Sequence, residues 1–190
     1  MQAVKDAKHP DIRPAPPSMN DTRCDLMLSL FPTSLGWFGL LGDGESVHGV
    51  EIGHPSAASL RKRVGTRSSR ESDWDPELRT RMENFAAGEP TDFDDVSLVL
   101  PPMTRFRVRV MTHVRGIAYG QTNSYGEVAE RIGHPRAARA VGSVMANNPV
   151  PILVPCHRII AASGQLGGFS SPQGPRLKKR LLQLESGVTK

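Results

Sequence analysis

The sequence predicts an α+β fold: a small N-terminal antiparallel sheet domain with a helix, then a mainly helical C-terminal domain. Three observations predict it. Up to Pro101-Pro102 the apolar residues fall in short runs broken by turn residues. From Thr104 onward they recur at helical spacing. Within that second half, two short segments carry their own helix start and stop signals and are joined by a tight turn. Residues 1–22 read as a flexible leader, 23–101 as an N-terminal α/β domain and 102–190 as the C-terminal domain.

The leader carries Lys5, Lys8, Arg13 and several prolines but no apolar stretch of the secretory kind. Asp25 to Phe31 and Trp37 to Leu41 then read as strands around a Pro-Thr-Ser-Leu-Gly turn. Asp43-Gly44 turns the chain into a third strand, Val47 to Ile52. Pro55 to Arg63 follows as a helix, and Thr66 to Asp73, polar and charged, as an exposed loop. Asp75 and Pro76 supply the N-cap and first position of a helix running to Gly88. Val96 to Leu100 is a last strand, stopped by Pro101-Pro102.

In the second half, Phe106, Val110 and Val114 line one helical face. Ser124 with Glu127 three residues later forms a capping box for a helix whose apolar face is Val128, Ala129 and Ile132, and Gly133 ends it. Pro135 to Ala146 is the next helix, the pair reading as a helix-turn-helix. Its residues are mostly small: Ala137, Ala138, Ala140, Gly142, Ser143 and Ala146, with Arg136 and Arg139 the long polar groups at its start. Such a surface suits close helix packing, or equally close backbone approach to a minor groove.

The chain has 190 residues, a net charge of +5 and two cysteines, Cys24 and Cys156; its pI is near 9.6. Two distant cysteines make a poor disulfide framework, so a reducing compartment is expected: the cytoplasm with its nucleoid, or the nucleus in a eukaryote. No apolar run approaches the roughly 18 residues of a spanning helix, and no membrane association is expected. The basic balance suits a polyanionic partner without establishing one.

Reactive chemistry concentrates in Asn148-Pro149-Val150-Pro151-Ile152-Leu153-Val154-Pro155-Cys156-His157-Arg158. Three prolines stiffen the approach to Cys156, and Ile152, Leu153 and Val154 anchor it in a core. An imidazole beside a thiol can take its proton, and the thiolate is the reactive form. The competing reading is a buried structural cysteine beside a surface histidine.

Pro155-Cys156-His157-Arg158, preceded by Asn148-Pro149-Val150-Pro151 and by Arg139-Ala140-Val141-Gly142, resembles the O6-alkylguanine-DNA alkyltransferases, or methylated-DNA–protein-cysteine methyltransferases. The resemblance spans Thr104 to Gly187, including Tyr119-Gly120 and Ser124-Tyr125-Gly126-Glu127; Leu26 to Ile52 and Asp75 to Leu100 match more loosely. It implies a helix-turn-helix of the winged kind and direct repair of alkylated DNA. Cys156 would be the alkyl acceptor, used once, and His157 the base acting through a water. Glu185 would orient His157, and Tyr125 would donate to N3 of the flipped guanine. Arg139 would fill the gap in the duplex, and Asn148 would brace the active-site turn. Ala138, Gly142 and Ser143 would lie on the DNA face, while Val154, Pro155 and Ser170 would line the pocket. The partner would be double-stranded DNA, gripped in its minor groove by a monomer. No cofactor is implied.

Some features depart from the family pattern. The insert Ser171-Pro172-Gln173-Gly174 lengthens the loop after Ser170, and Ser143 replaces a common glycine. Cys24 and His48 do not complete a four-ligand zinc set, so no metal is expected. His9, His54, His113 and His134 read as surface or turn residues. Arg61-Lys62-Arg63 and Lys178-Lys179-Arg180 read as solvated faces. Two alternatives stand beside it: a lesion sensor that flips alkylguanine without repairing it, although such proteins lack the acceptor cysteine present here as Cys156, and a cysteine hydrolase acting through Cys156, His157 and Glu185.

Overall fold

The structure is a computed structural model, and it describes residues 12–14, 26–68 and 70–187. Three consecutive strands, β2 (Met27–Thr33), β3 (Gly36–Gly42) and β4 (Val47–His54), form an antiparallel meander. Alternation along it serves two faces. Leu28, Leu30, Trp37 and Leu41 meet Leu60 and Val64 of α1 (Ala57–Val64), whereas Phe31, Phe38 and Leu40 enter the main core. Asp75 accepts from Leu78 N at 2.9 Å and Pro76 opens α2 (Pro76–Ala87), as their order in the sequence requires. This helix buries Leu78, Met82, Phe85 and Ala86 against the main core.

The sheet is mixed rather than purely antiparallel. Two edge strands join in parallel: β5 (Arg70–Glu71) beside β2, and β1 (Ile12–Pro14) beside β6 (Leu98–Leu100), which itself runs parallel to β4. Part of the expected leader is thus a strand, with Ile12 packed on the core; the rest of residues 1–22, with His9, lies outside the described residues, as does Cys24. Part of the expected loop at 66–73 is likewise ordered, by a one-turn 3-10 helix at Gly65–Arg67 and by β5.

Helix α3 (Arg105–Arg115) is capped by Thr104 and packs on α4 (Tyr125–Arg131) and α5 (Ala138–Ala146). The Ser124–Glu127 capping box closes in both directions. Helix α5 begins three residues later than expected. Pro135 and Arg136 sit in a turn in which Ala137 N bonds His134 O, so the proline ends the connection instead of opening the helix. A short parallel pair, β7 (Asn123–Ser124) with β8 (Ile159–Ile160), ties the start of α4 to the strand after Cys156. The chain closes with α6 (Pro175–Glu185). One buried cluster runs from Phe31 through Val110 to Leu181, so the sheet and the later helices share a core. Among the described residues no helix is long and apolar enough to cross a membrane.

Candidate active site

The stiff segment before Cys156 is held by its own backbone. Asn148 reaches over it, donating from Nδ2 to Val154 O at 2.7 Å and accepting from Val150 N at 3.1 Å. Val154 N returns to Val150 O, and Val50 N of β4 donates to Pro149 O at 2.8 Å, which fastens the segment to the sheet. The tight turn forces Ile152 to φ 75°, a left-handed conformation that costs a β-branched residue about 1–3 kcal/mol and persists only where its surroundings impose it. Burial of Ile152, Leu153 and Val154 supplies that restraint.

Cys156 opens a one-turn 3-10 helix, Cys156–Arg158, and is buried with His157 and Arg158. His157 is fully buried and its Nε2 lies 2.8 Å from Glu185 Oε1. Arg158 donates to both oxygens of the same carboxylate and to Ile117 O, and Gly120 N donates to Glu185 Oε2. Burial pushes the Glu185 carboxyl up, but the hydrogen bonds from His157 and Arg158 outweigh it and hold its pKa at about 2. An ionised carboxylate can only accept, so His157 Nε2 carries a proton. Burial lowers the pKa of the imidazole despite Glu185, which leaves the ring neutral. Its Nδ1, buried and without a protein hydrogen-bond partner, is therefore the basic nitrogen.

Burial also pushes the Cys156 thiol up, while Asn148, the Lys178 ammonium and the backbone N–H groups of Cys156 and His157 pull it back. The resting pair is a thiol beside a neutral imidazole. Lys178 is the cation facing it, and its burial corrects the expectation that Lys178-Lys179-Arg180 is a solvated cluster. Lys178 is 1 % exposed, donates from Nζ to Ile159 O at 2.6 Å and lies 5.9 Å from the Tyr125 ring centre. The signal was present: Lys178, Leu181 and Glu185 share one helical face, and that face is the buried one.

Tyr125, first residue of α4, is half-buried, and burial raises its phenol pKa, with Cys156 adding to the effect. Gly142 of α5 lies against its ring and Gly167 against its hydroxyl, where added Cβ atoms would come within 3.7 and 3.1 Å. The site therefore unites Cys156, His157, Glu185, Asn148, Tyr125, Val154 and Pro155. Arg139 and Ser143 stand apart on the exposed side of α5, with Ala138 and Gly142 half-buried beside them. Ser170 is exposed and its Oγ donates to Ala146 O at 2.5 Å, at the end of α5. His54, expected at the surface, is buried and bonded to Glu51 and Ser59; His48 bonds Asp43 at 2.8 Å.

Residues 105–187 match the DNA-binding domain of 6-O-methylguanine DNA methyltransferase. A methylated-DNA–protein-cysteine methyltransferase of Methanosarcina acetivorans is 36% identical over 159 residues, covering 83% of this chain and 96% of that protein. The chain belongs to this methyltransferase family. A Mycobacterium bovis member of the family is 42% identical over 140 residues, 70% of this chain and 82% of its own. The Mycobacterium tuberculosis OGT, solved in complex with DNA, superimposes with a TM-score of 0.72 at 34% identity, covering 86% of this chain and 94% of that one. In this methyltransferase the matched region begins with α3 and ends just past Glu185, so it contains every site residue named above.

Proposed function

We propose that this methyltransferase repairs DNA directly, by irreversible transfer of the alkyl group from O6-alkylguanine to Cys156 after the nucleotide is flipped from the duplex. The observation that carries the reading is the buried Cys156 beside His157, whose Nε2 is held by Glu185 so that Nδ1 is left as the base. Helices α4 and α5 act as the helix-turn-helix, with the small exposed residues of α5 set against the minor groove and Arg139 filling the space left by the base. The Cys156 thiol gives its proton to His157, through a water as the family resemblance implies. Sγ then bonds to the alkyl carbon as the carbon–O6 bond breaks, and the electron pair leaves on guanine. Tyr125, beside Cys156, donates to N3 as charge develops there. Incubation with a duplex containing O6-methylguanine should add one methyl to the intact mass, on Cys156 and stoichiometrically. Repeated turnover of the lesion, or hydrolysis of an ester without an adduct, would overturn the reading.

Arg139→Ala tests the flipping role separately. Extrusion costs a few kcal/mol, so losing the residue that offsets it should slow transfer from duplex DNA about tenfold or more. Transfer from the free base O6-benzylguanine should keep its rate, since nothing is flipped. Equal slowing with both substrates would remove Arg139 from this role.

A further inference from the structure

The loop between Gly167 and Gly174 is pinned at both ends, and its second anchor falls within the insertion. Gln173 places its amide between two backbone carbonyls of the N-terminal sheet, donating from Nε2 to Leu35 O at 2.8 Å and to Gly53 O at 2.9 Å. The seat is shaped by glycines at φ 108° (Gly36) and 74° (Gly53). A Cβ on Gly36 would lie 2.8 Å from His54 O and 3.3 Å from Gln173 Nε2. On Gly53 it would lie 2.5 Å from Leu177 Cδ2 and 3.0 Å from Nε2. Arg180 grips the same turn, donating to Ser34 O at 2.7 Å, and Ser34 in turn donates to Ala86 O. The glutamine amide offers two N–H groups on one nitrogen, which its nearest isosteres do not supply here: glutamate has none and asparagine is one carbon short.

At its other end the loop borders the reaction site. Gly167 abuts the Tyr125 hydroxyl, Phe169 packs on the main core, and Ser170 is bonded to the last turn of α5. Ser171 N to Phe169 O and Gly174 N to Ser171 O keep the short span from Ser170 to Gln173 folded. A wall fixed at both ends cannot widen without breaking one of them.

Building on the alkyl-transfer reading, we propose that Gln173 is a specificity-positioning residue: by clamping the loop to the β2–β3 turn and the end of β4, it limits the size of alkyl group that reaches Cys156. Its removal lets the wall beside Tyr125 retreat, which favours bulky over small groups. The test compares alkylation of Cys156 by duplexes carrying O6-benzylguanine and O6-methylguanine in wild type, Gln173→Ala and Gln173→Glu, with amide hydrogen exchange over residues 164–174. The benzyl-to-methyl rate ratio should rise about tenfold in both variants, and the loop amides should exchange faster. Arg180→Ala, which loosens the same turn from the neighbouring bond, should move both readouts the same way by less, and keeps the test open if a Gln173 variant folds poorly. Faster exchange with an unchanged rate ratio would reduce Gln173 to a structural tie and overturn the proposal, as would a loop whose exchange does not change. A wild type that neither duplex alkylates would instead sink the transfer reading itself.

Discussion

Glu185→Gln should cost this protein about 3–5 kcal/mol of stability, the usual penalty for removing one partner of a buried ion pair, and slow alkylation about a hundredfold or more through loss of the oriented base. Both effects have one origin. The Glu185 carboxylate accepts from His157, from Arg158 on two edges and from Gly120 N, with its side chain 1 % exposed. A glutamine has one acceptor oxygen and turns an N–H toward donors on the other side, leaving the Arg158 guanidinium buried without its counter-charge. The pH dependence carries a sign. The folded-state pKa of about 2 lies below the ordinary 4.5, so the stabilisation is fully present above 4.5 and is lost as pH falls toward about 2. That interval corresponds to about 3 kcal/mol. Urea melts of wild type across this range should show the loss, and those of Glu185→Gln should show a correspondingly smaller one. Parallel acid limbs in the two proteins would mean that Glu185 does not carry this stability.

Much of the architecture was legible because it rests on local signals. Asp75-Pro76 and Ser124 with Glu127 state where helices begin, and the alternation of Leu28, Leu30 and Phe31 states which residues face which side of the sheet. The strands at Ile12–Pro14 and Arg70–Glu71 carry no such signal. They are two or three residues long, and their parallel pairings depend on partners far away in sequence. The late start of α5 reflects a turn whose hydrogen bond, Ala137 N to His134 O, competes with the proline's preference for a first helical position. At the site, the prolines before Cys156 announced a rigid approach, but not the left-handed Ile152 that the approach imposes. Lys178 was hidden by its neighbours: a run of three cations looks solvated until the helical phase is drawn from Glu185 backward. Gln173 was visible only as part of an insertion, because its function depends on two carbonyls more than a hundred residues away.

Cys156→Ala should abolish transfer while leaving the grip on lesion-bearing DNA intact, and the contrast between the two readouts tests the chemistry more sharply than loss of activity alone. The thiol contributes nothing to the exposed face of α5, where Arg139 and Ser143 stand, and at 6 % exposure it adds little surface for DNA to touch. Its truncation leaves a small gap beside Val154 and Pro155, costing on the order of 1 kcal/mol against a network that stays whole. The variant should therefore bind O6-methylguanine duplex with near-wild-type affinity, hold it without release of repaired DNA and show no mass gain. Cys156→Ser sharpens the comparison, since it keeps a protic group on the same carbon, smaller than the thiol and a much weaker acid and nucleophile. A serine variant that still removed the alkyl group without gaining its mass would point to a water-mediated route. The thioether formed by the native cysteine offers water no carbonyl to attack, so neither His157 nor Lys178 can regenerate the thiol. Persistence of the wild-type adduct through prolonged incubation is thus a consequence of the bond formed, and its slow loss with recovery of free thiol would contradict transfer to this sulfur as the final step.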